Sequence, residues 1–174
     1  MMKKNPLIII AFSVLLLAWA CQNDNSFHPG YTTLKIRMTD GPGDFQQINV
    51  DVQEVLVKTS YDTSNWLALP TNAGVYNLLD FQNGVDTLLA SGPVPAVVLQ
   101  EVRLVVGPSS TVMQDSILHN LETPSAEQSG LKIKIDRALS YTVDSILLDF
   151  DAAKSVHVTG SGAFILKPVI RIKS

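Results

Sequence analysis

The sequence predicts an all-β protein, an antiparallel β-sandwich with Greek-key links of the transthyretin- or immunoglobulin-like kind. From Thr32 onward, apolar residues recur at every second position, which is the pattern of a sheet with one buried face. Roughly ten such runs are separated by glycine, proline, asparagine and aspartate, as in a sandwich. Beyond the first twenty residues no stretch keeps a helical period. The chain has 174 residues, 46% of them hydrophobic, a size and composition that suit one core plus a targeting segment.

Residues 1–20 read as a signal peptide. Lys3 and Lys4 precede an apolar run from Leu7 to Leu17, and small residues lead up to Cys21. The run Leu7–Ala20 is shorter than the roughly 17 to 25 residues of a spanning helix, which argues for cleavage over a retained anchor. Leu17-Ala18-Trp19-Ala20-Cys21 resembles a bacterial lipobox, with its leucine displaced by one position and a bulky Trp19. That resemblance implies cleavage before Cys21 and lipidation of its thiol, whose thiolate is the nucleophile. Several acyl chains then fix the protein in a membrane, each contributing about 0.8 kcal/mol per buried CH2. Cys21 is the sole cysteine, so no internal disulfide competes for it. Residues 21–30 are a polar tether closing at Pro29-Gly30, and residues 31–174 form the sandwich domain.

Leu34, Ile36 and Met38 alternate with Lys35 and Arg37 in a first strand that stops at the turn Thr39-Asp40-Gly41-Pro42-Gly43-Asp44. Ile48, Val50 and Val52 begin a second strand, whereas Val55 and Val57 lie in the opposite phase. A bulge near Gln53-Glu54 is expected there. Trp66-Leu67-Ala68-Leu69 is a short strand with Trp66 in the core, and Val75–Phe81 follows. Asn83-Gly84 is a turn, after which Val85–Ala90 fits either a strand or one helical turn. Pro93 and Pro95 break the chain before the apolar run Val97–Val106. Thr111–Leu118 reads as one strand, Glu122–Gly130 as a loop, and Leu131, Ile133 and Ile135 as a half-exposed strand. Tyr141–Phe150, Val156–Thr159, Ala163–Leu166 and Val169–Ile172 complete the set. Leu34, Ile36, Val50, Leu104, Ile133, Leu148 and Ile170 are expected to line one core.

Five blocks together resemble a known family. They are Thr39-Asp40-Gly41-Pro42-Gly43-Asp44, Leu78-Leu79-Asp80 with Asn83-Gly84, Arg103-Leu104-Val105, Asp149-Phe150-Asp151-Ala152-Ala153-Lys154-Ser155, and Leu166-Lys167-Pro168-Val169-Ile170-Arg171. The set is similar to a bacterial lipoprotein domain of unknown function common in Bacteroidetes, over about residues 32 to 173. Pro95-Ala96-Val97 departs from the glycine that family usually has after Pro-Ala. The resemblance implies an exported β-rich domain of no established activity, so it supplies no catalytic residues.

The formal charge is −3, and a leader without acidic residues that takes Lys3 and Lys4 with it leaves 11 basic against 16 acidic residues, or −5. Such a balance excludes nucleic acid as the expected partner. The histidines are His28, His119 and His157. None stands in a nucleophile motif, since Gly160-Ser161-Gly162 is a turn and not a nucleophile elbow. Asp40, Asp44, Asp149 and Asp151 are hard oxygen ligands at strand ends, the type of set that calcium uses. The other reading of these four is a structural corner, with turn hydrogen bonds and Lys154 neutralising Asp151. Asp149 and Asp151 are two apart and would share a sheet face, where like charges must be offset. Tyr61, Trp66, Tyr76 and Tyr141 are the aromatics that would stack on a sugar if exposed. The expectation is therefore a noncatalytic, lipid-anchored outer-membrane protein, periplasmic or surface-facing. It would act in binding, adhesion or assembly on an unidentified glycan or protein ligand. A hydrolase of glycans or esters is the alternative.

Overall fold

The computed structural model describes residues 29–41, 45–123 and 130–173, and within them the chain is an all-β sandwich. One sheet contains β1 (Tyr31–Asp40), β5 (Thr87–Pro95), β10 (Val143–Phe150) and β13 (Ile170–Lys173), in the order β13-β10-β1-β5. The other is built on the long strand β2 (Gln47–Thr59). One edge of β2 pairs with β6 (Val98–Val106) and then β7 (Thr111–Gln114). The opposite edge pairs with β3 (Leu67–Leu69) and then β4 (Gly74–Asn77). Outside these lie β9 (Leu131–Ala138) on β6 and β8 (Ile117–Glu122) on β7, followed by β12 (Phe164–Leu166) and β11 (Val156–Val158). Each sheet also holds one parallel pair, β1 with β10 and β8 with β12, a departure from the purely antiparallel expectation. These strands are far apart in sequence, so no hairpin dictates their direction.

The alternation in β1 puts Leu34, Ile36 and Met38 inside with at most 1% exposure, while Lys35 and Arg37 face outward. In β2 the register against β6 shifts between Val52 and Glu54, so Val52 and Val55 both point inward. That shift is the expected bulge. Of the seven core positions named above, six are buried. Ile170 is partly buried against the same core because β13 is a short edge strand.

Three local expectations are corrected. Pro93 and Pro95 do not break the chain but lie within β5, paired with Thr33 and Tyr31. β5 is an edge strand of its sheet, where a missing N–H goes unused. The segment Thr111–Leu118 is a hairpin, β7 to β8. Asp115 (φ 52°) and Ser116 (φ 63°) supply the positive-φ pair that a two-residue loop needs. Trp66 is half-buried rather than core, because β3 begins only at Leu67 and Leu69 is its inward residue. The open question at Val85–Ala90 resolves as strand, from Thr87 on. Thr39 Oγ1 donates to the Phe81 and Val85 carbonyls at 2.8 Å, fixing the 3-10 turn Leu78–Phe81 and the Asn83-Gly84 turn against β1.

The strand directions define two ends. Tyr31, Pro95, Val98, Thr59 and Val143 mark a proximal end, where the described chain starts. Asp40, Phe150 and Ile170 mark a distal end.

Candidate functional site

The acidic corner lies at the distal end. Asp40 ends β1 opposite Phe150, is 3% exposed, and accepts the Ala152 amide at 2.9 Å and Gln82 Nε2 at 3.3 Å. Burial raises its carboxyl above the ordinary Asp value, and these hydrogen bonds only partly oppose that. Asp149 Oδ1 faces the Lys173 ammonium at 3.4 Å. β10 stops at Phe150, so Asp151 does not share a strand face with Asp149. It is instead the N-cap of the single helical turn α1 (Ala152–Ser155), accepting the Lys154 amide at 3.2 Å and the Lys154 ammonium. The Lys154 side chain foremost holds the Asp151 carboxyl below its usual value. Ser155 Oγ donates to the Asp151 carbonyl at 2.6 Å and accepts the Val169 amide at 2.9 Å, tying the corner to the segment before β13. Asp40, Asp149 and Asp151 thus come together at one end, each met by protein donors or by a lysine. Asp44 and Cys21 lie outside the described residues. Among the described residues no three His, Cys, Asp or Glu side chains gather as a metal would require.

Among the described residues, neither His119 nor His157 joins this corner as a metal-type cluster. His119 in β8 packs at a tilt on Phe164, 4.6 Å between ring centroids, and His157 in β11 is exposed opposite Ile165.

The proximal end offers a different surface. A cleft of about 260 Å³ opens between the sheets, bounded by Tyr31, Tyr61, Asp62, Asn65, Trp66 and Leu67 with Pro93 and Pro95 behind. Asp62 shapes its rim by accepting the Ser64 amide at 2.9 Å and the Asn65 amide at 3.1 Å, with Asn65 Nδ2 on its second oxygen at 2.9 Å. The Asn65 side chain leads the hydrogen bonds that lower the Asp62 carboxyl. The Trp66 ring is taken by two cations, with the Arg103 guanidinium 4.0 Å and Lys58 Nζ 4.9 Å from its centroid. Tyr31 and Tyr61 are left open, at 66% and 50% exposure. Tyr141 stands on the neighbouring turn at 79%. Tyr76, by contrast, packs against Phe81 and donates its hydroxyl to the Asn72 carbonyl, and burial pushes that hydroxyl up.

The profile of the family described as Domain of unknown function (DUF4382) matches residues 31–168. The chain belongs to that family. No curated protein and no solved structure matches it.

In this DUF4382 domain, the residues missed from sequence are those whose role depends on a distant partner. Lys173 answers Asp149 from the last strand, Gln82 answers Asp40 from a turn, and Tyr31 joins Tyr61 across the two sheets. The legible signal for the cleft was the exposed composition of Tyr61-Asp62-Thr63-Ser64-Asn65, a loop carrying an aromatic at its start.

Proposed function

We propose that the protein is a noncatalytic, lipid-anchored module of the cell envelope, held in the outer membrane through Cys21 and acting by contact: binding, adhesion or assembly. The leader, the lipobox-like Leu17–Cys21 and the polar tether support the anchor. The observation that carries the contact role is the proximal surface: its exposed tyrosines and cleft lie where the tether joins the domain. The acidic groups at the distal corner are engaged in caps and ion pairs, while His119 packs on Phe164 and His157 is exposed on β11. A hydrolase of glycans or esters would instead need a nucleophile, a base and an orienting carboxylate in mutual reach.

The test is membrane fractionation of the full chain and of Cys21→Ser, with labelled palmitate incorporation as a second readout. The wild type is expected to take up label and sediment with outer membranes, and the variant to do neither. Retention of an unlabelled Cys21→Ser protein in the membrane would reject the anchor. Turnover of model esters or glycosides, abolished by His119→Ala or His157→Ala, would reject the noncatalytic role.

A further inference from the structure

Among the described residues twelve large apolar side chains are exposed, and half of them, including all three exposed tyrosines, stand at one end, while Val75, Val85, Ile117, Leu118, Val158 and Ile172 lie elsewhere. Tyr31, Tyr61, Leu67, Val98, Tyr141 and Val143 are all solvent-exposed, and every one of them lies at the proximal end. Their grouping follows from the pairing. Tyr31 stands opposite Pro95, Thr33 opposite Val143, and Leu67 opposite Val57. The Ser60 amide donates to the Val98 carbonyl at 2.9 Å, and the Thr33 amide to the Thr142 carbonyl at 3.1 Å. The described chain starts here too, with the Gly30 carbonyl accepting the Ala96 amide at 2.7 Å. Tyrosine, an apolar ring with a polar tip, is suited to the boundary between water and hydrocarbon. At the other end of β1, about 30 Å away at strand rise, stand the carboxylates Asp40, Asp149 and Asp151.

We infer that this proximal end rests on the lipid surface, its three tyrosines and the adjoining valines and leucine entering the headgroup boundary while the acidic corner points away. The inference relies on the lipid-anchor reading for its orientation. Nine residues separate Cys21 from Tyr31, and a random coil of that length has a root-mean-square span of about 15 to 18 Å. The domain itself has a radius of gyration of about 15 Å. A tether that short keeps its own end of the domain next to the bilayer, and no other face reaches the surface without the chain doubling round the body. Linkage on that scale gives an effective concentration in the mM range, so a modest apolar patch suffices for contact. A glycan has less to recommend it as occupant, because the Arg103 guanidinium already lies over the Trp66 ring.

Trp66 lines the proximal cleft and is a natural probe. In a Trp19→Phe background it is the sole tryptophan of the chain. The full-length lipoprotein is reconstituted in phosphatidylethanolamine and phosphatidylglycerol vesicles, with and without brominated acyl chains, and Trp66 emission is compared. Bromine is expected to quench it. Combined Tyr31→Ser, Tyr61→Ser and Tyr141→Ser should lose most of that quenching, and each single change part of it. Ile117→Ser with Leu118→Ser, equally exposed but distal, should keep it. Unquenched Trp66 in protein that still floats with the vesicles overturns the inference and leaves the anchor standing. If the wild type proves not to be lipidated, the same protein added to vesicles decides: quenching upholds the contact, and none overturns it. Self-association in lipid-free solution that the tyrosine changes abolish assigns the surface to a second copy. Binding of a soluble glycan through the same tyrosines, with no quenching by lipid, assigns it to a sugar. Either result overturns the inference.

Discussion

Asp40 and Ala152 are 112 residues apart and meet through one buried hydrogen bond, from the Ala152 amide to Asp40 Oδ1 at 2.9 Å. That bond joins the end of β1 to the start of α1, and it depends on a carboxylate that burial disfavours in its charged form. The folded state therefore binds the Asp40 proton more tightly than the unfolded state does. Stability from this group is full below its ordinary value of 3.8 and falls as pH rises through the higher folded pKa. Asp40→Asn keeps an acceptor for Ala152 without the buried charge. It should be at least as stable as wild type at pH 7 and should flatten the pH slope above 3.8. Asp40→Ala leaves a buried amide unpaired and should cost about 1 to 3 kcal/mol. Urea denaturation across the acid range measures both.

Much of this architecture was legible because it is written in short-range pattern. The alternation Leu34, Ile36, Met38 and the phase change from Val52 to Val55 are local facts, and both appear in the fold as read. Where the reading failed, the deciding partner was distant or the residue carried two meanings. A proline breaks a central strand but sits easily on an edge, and nothing in Pro93-Val94-Pro95 says which strand is the edge. Asp115-Ser116 lacks the glycine that marks most two-residue hairpins, so β7 and β8 merged into one run. Asp40, Asp149 and Asp151 read as strand-end carboxylates, and the fold sets all three at one end. The pairing of Asp149 with Lys173 was not legible, because it follows from β10 lying beside β13.

The corner gives a second prediction. Asp151 caps α1 and its carboxyl is held low, so its contribution is present above pH 3.8 and is lost as pH falls through the folded pKa. Asp151→Ala should cost about 0.5 to 2 kcal/mol as a lost N-cap. Lys154→Met should cost less than about 1 kcal/mol, since the lysine end is exposed. With Asp40 and Asp151 held by protein donors and Asp149 facing the Lys173 ammonium, calcium should leave the melting temperature unchanged. Saturating calcium at a hundredfold excess over its dissociation constant would add about 2.7 kcal/mol if the corner were an ion site. A thermal melt with calcium and then chelator separates the two. A shift that disappears in Asp149→Asn with Asp151→Asn would assign the four aspartates to the ion.

A third prediction concerns how the sheets are joined at the proximal end. Arg137 of β9 pairs with Asp144 of β10, one strand from each sheet, and Asp144 also accepts the Ser140 amide at 2.9 Å. Burial alone would raise Asp144, but the Ser140 amide, the Arg137 guanidinium and the Ser145 amide together outweigh it and leave the carboxyl low. Its stabilisation therefore holds above pH 3.8 and fades as pH falls through the folded pKa. Arg137→Met removes a charged hydrogen bond from a carboxylate whose side chain is 7% exposed, and should cost about 1.5 to 3 kcal/mol. Because Ser140 is held by the same carboxylate, the 139–142 turn bearing Tyr141 should exchange its amide hydrogens faster in that variant.

The last prediction follows the Trp66 ring. Arg103 lies over it at 4.0 Å, and Arg103 Nε is buried without a hydrogen bond, so the ring is the contact that compensates the guanidinium on that side. Gly130 closes over the Arg103 stem: a Cβ there would stand 2.6 Å from Arg103 Cγ, and the residue holds φ at +68°. Both constraints exclude a side chain, one by contact and one by backbone geometry. Gly130→Ala should therefore destabilise by about 1 to 2 kcal/mol from the backbone alone, and by more unless Arg103 moves off the ring. A double-mutant cycle between Trp66→Leu and Arg103→Met should return a coupling of about 0.5 to 1 kcal/mol, the range for a partly exposed cation over an aromatic face. In the Gly130→Ala background that coupling should shrink, because the displaced guanidinium no longer sits over the indole. Urea melts of the four cycle members, repeated with Gly130→Ala, measure it. An unchanged coupling would mean that Arg103 keeps its place without the glycine.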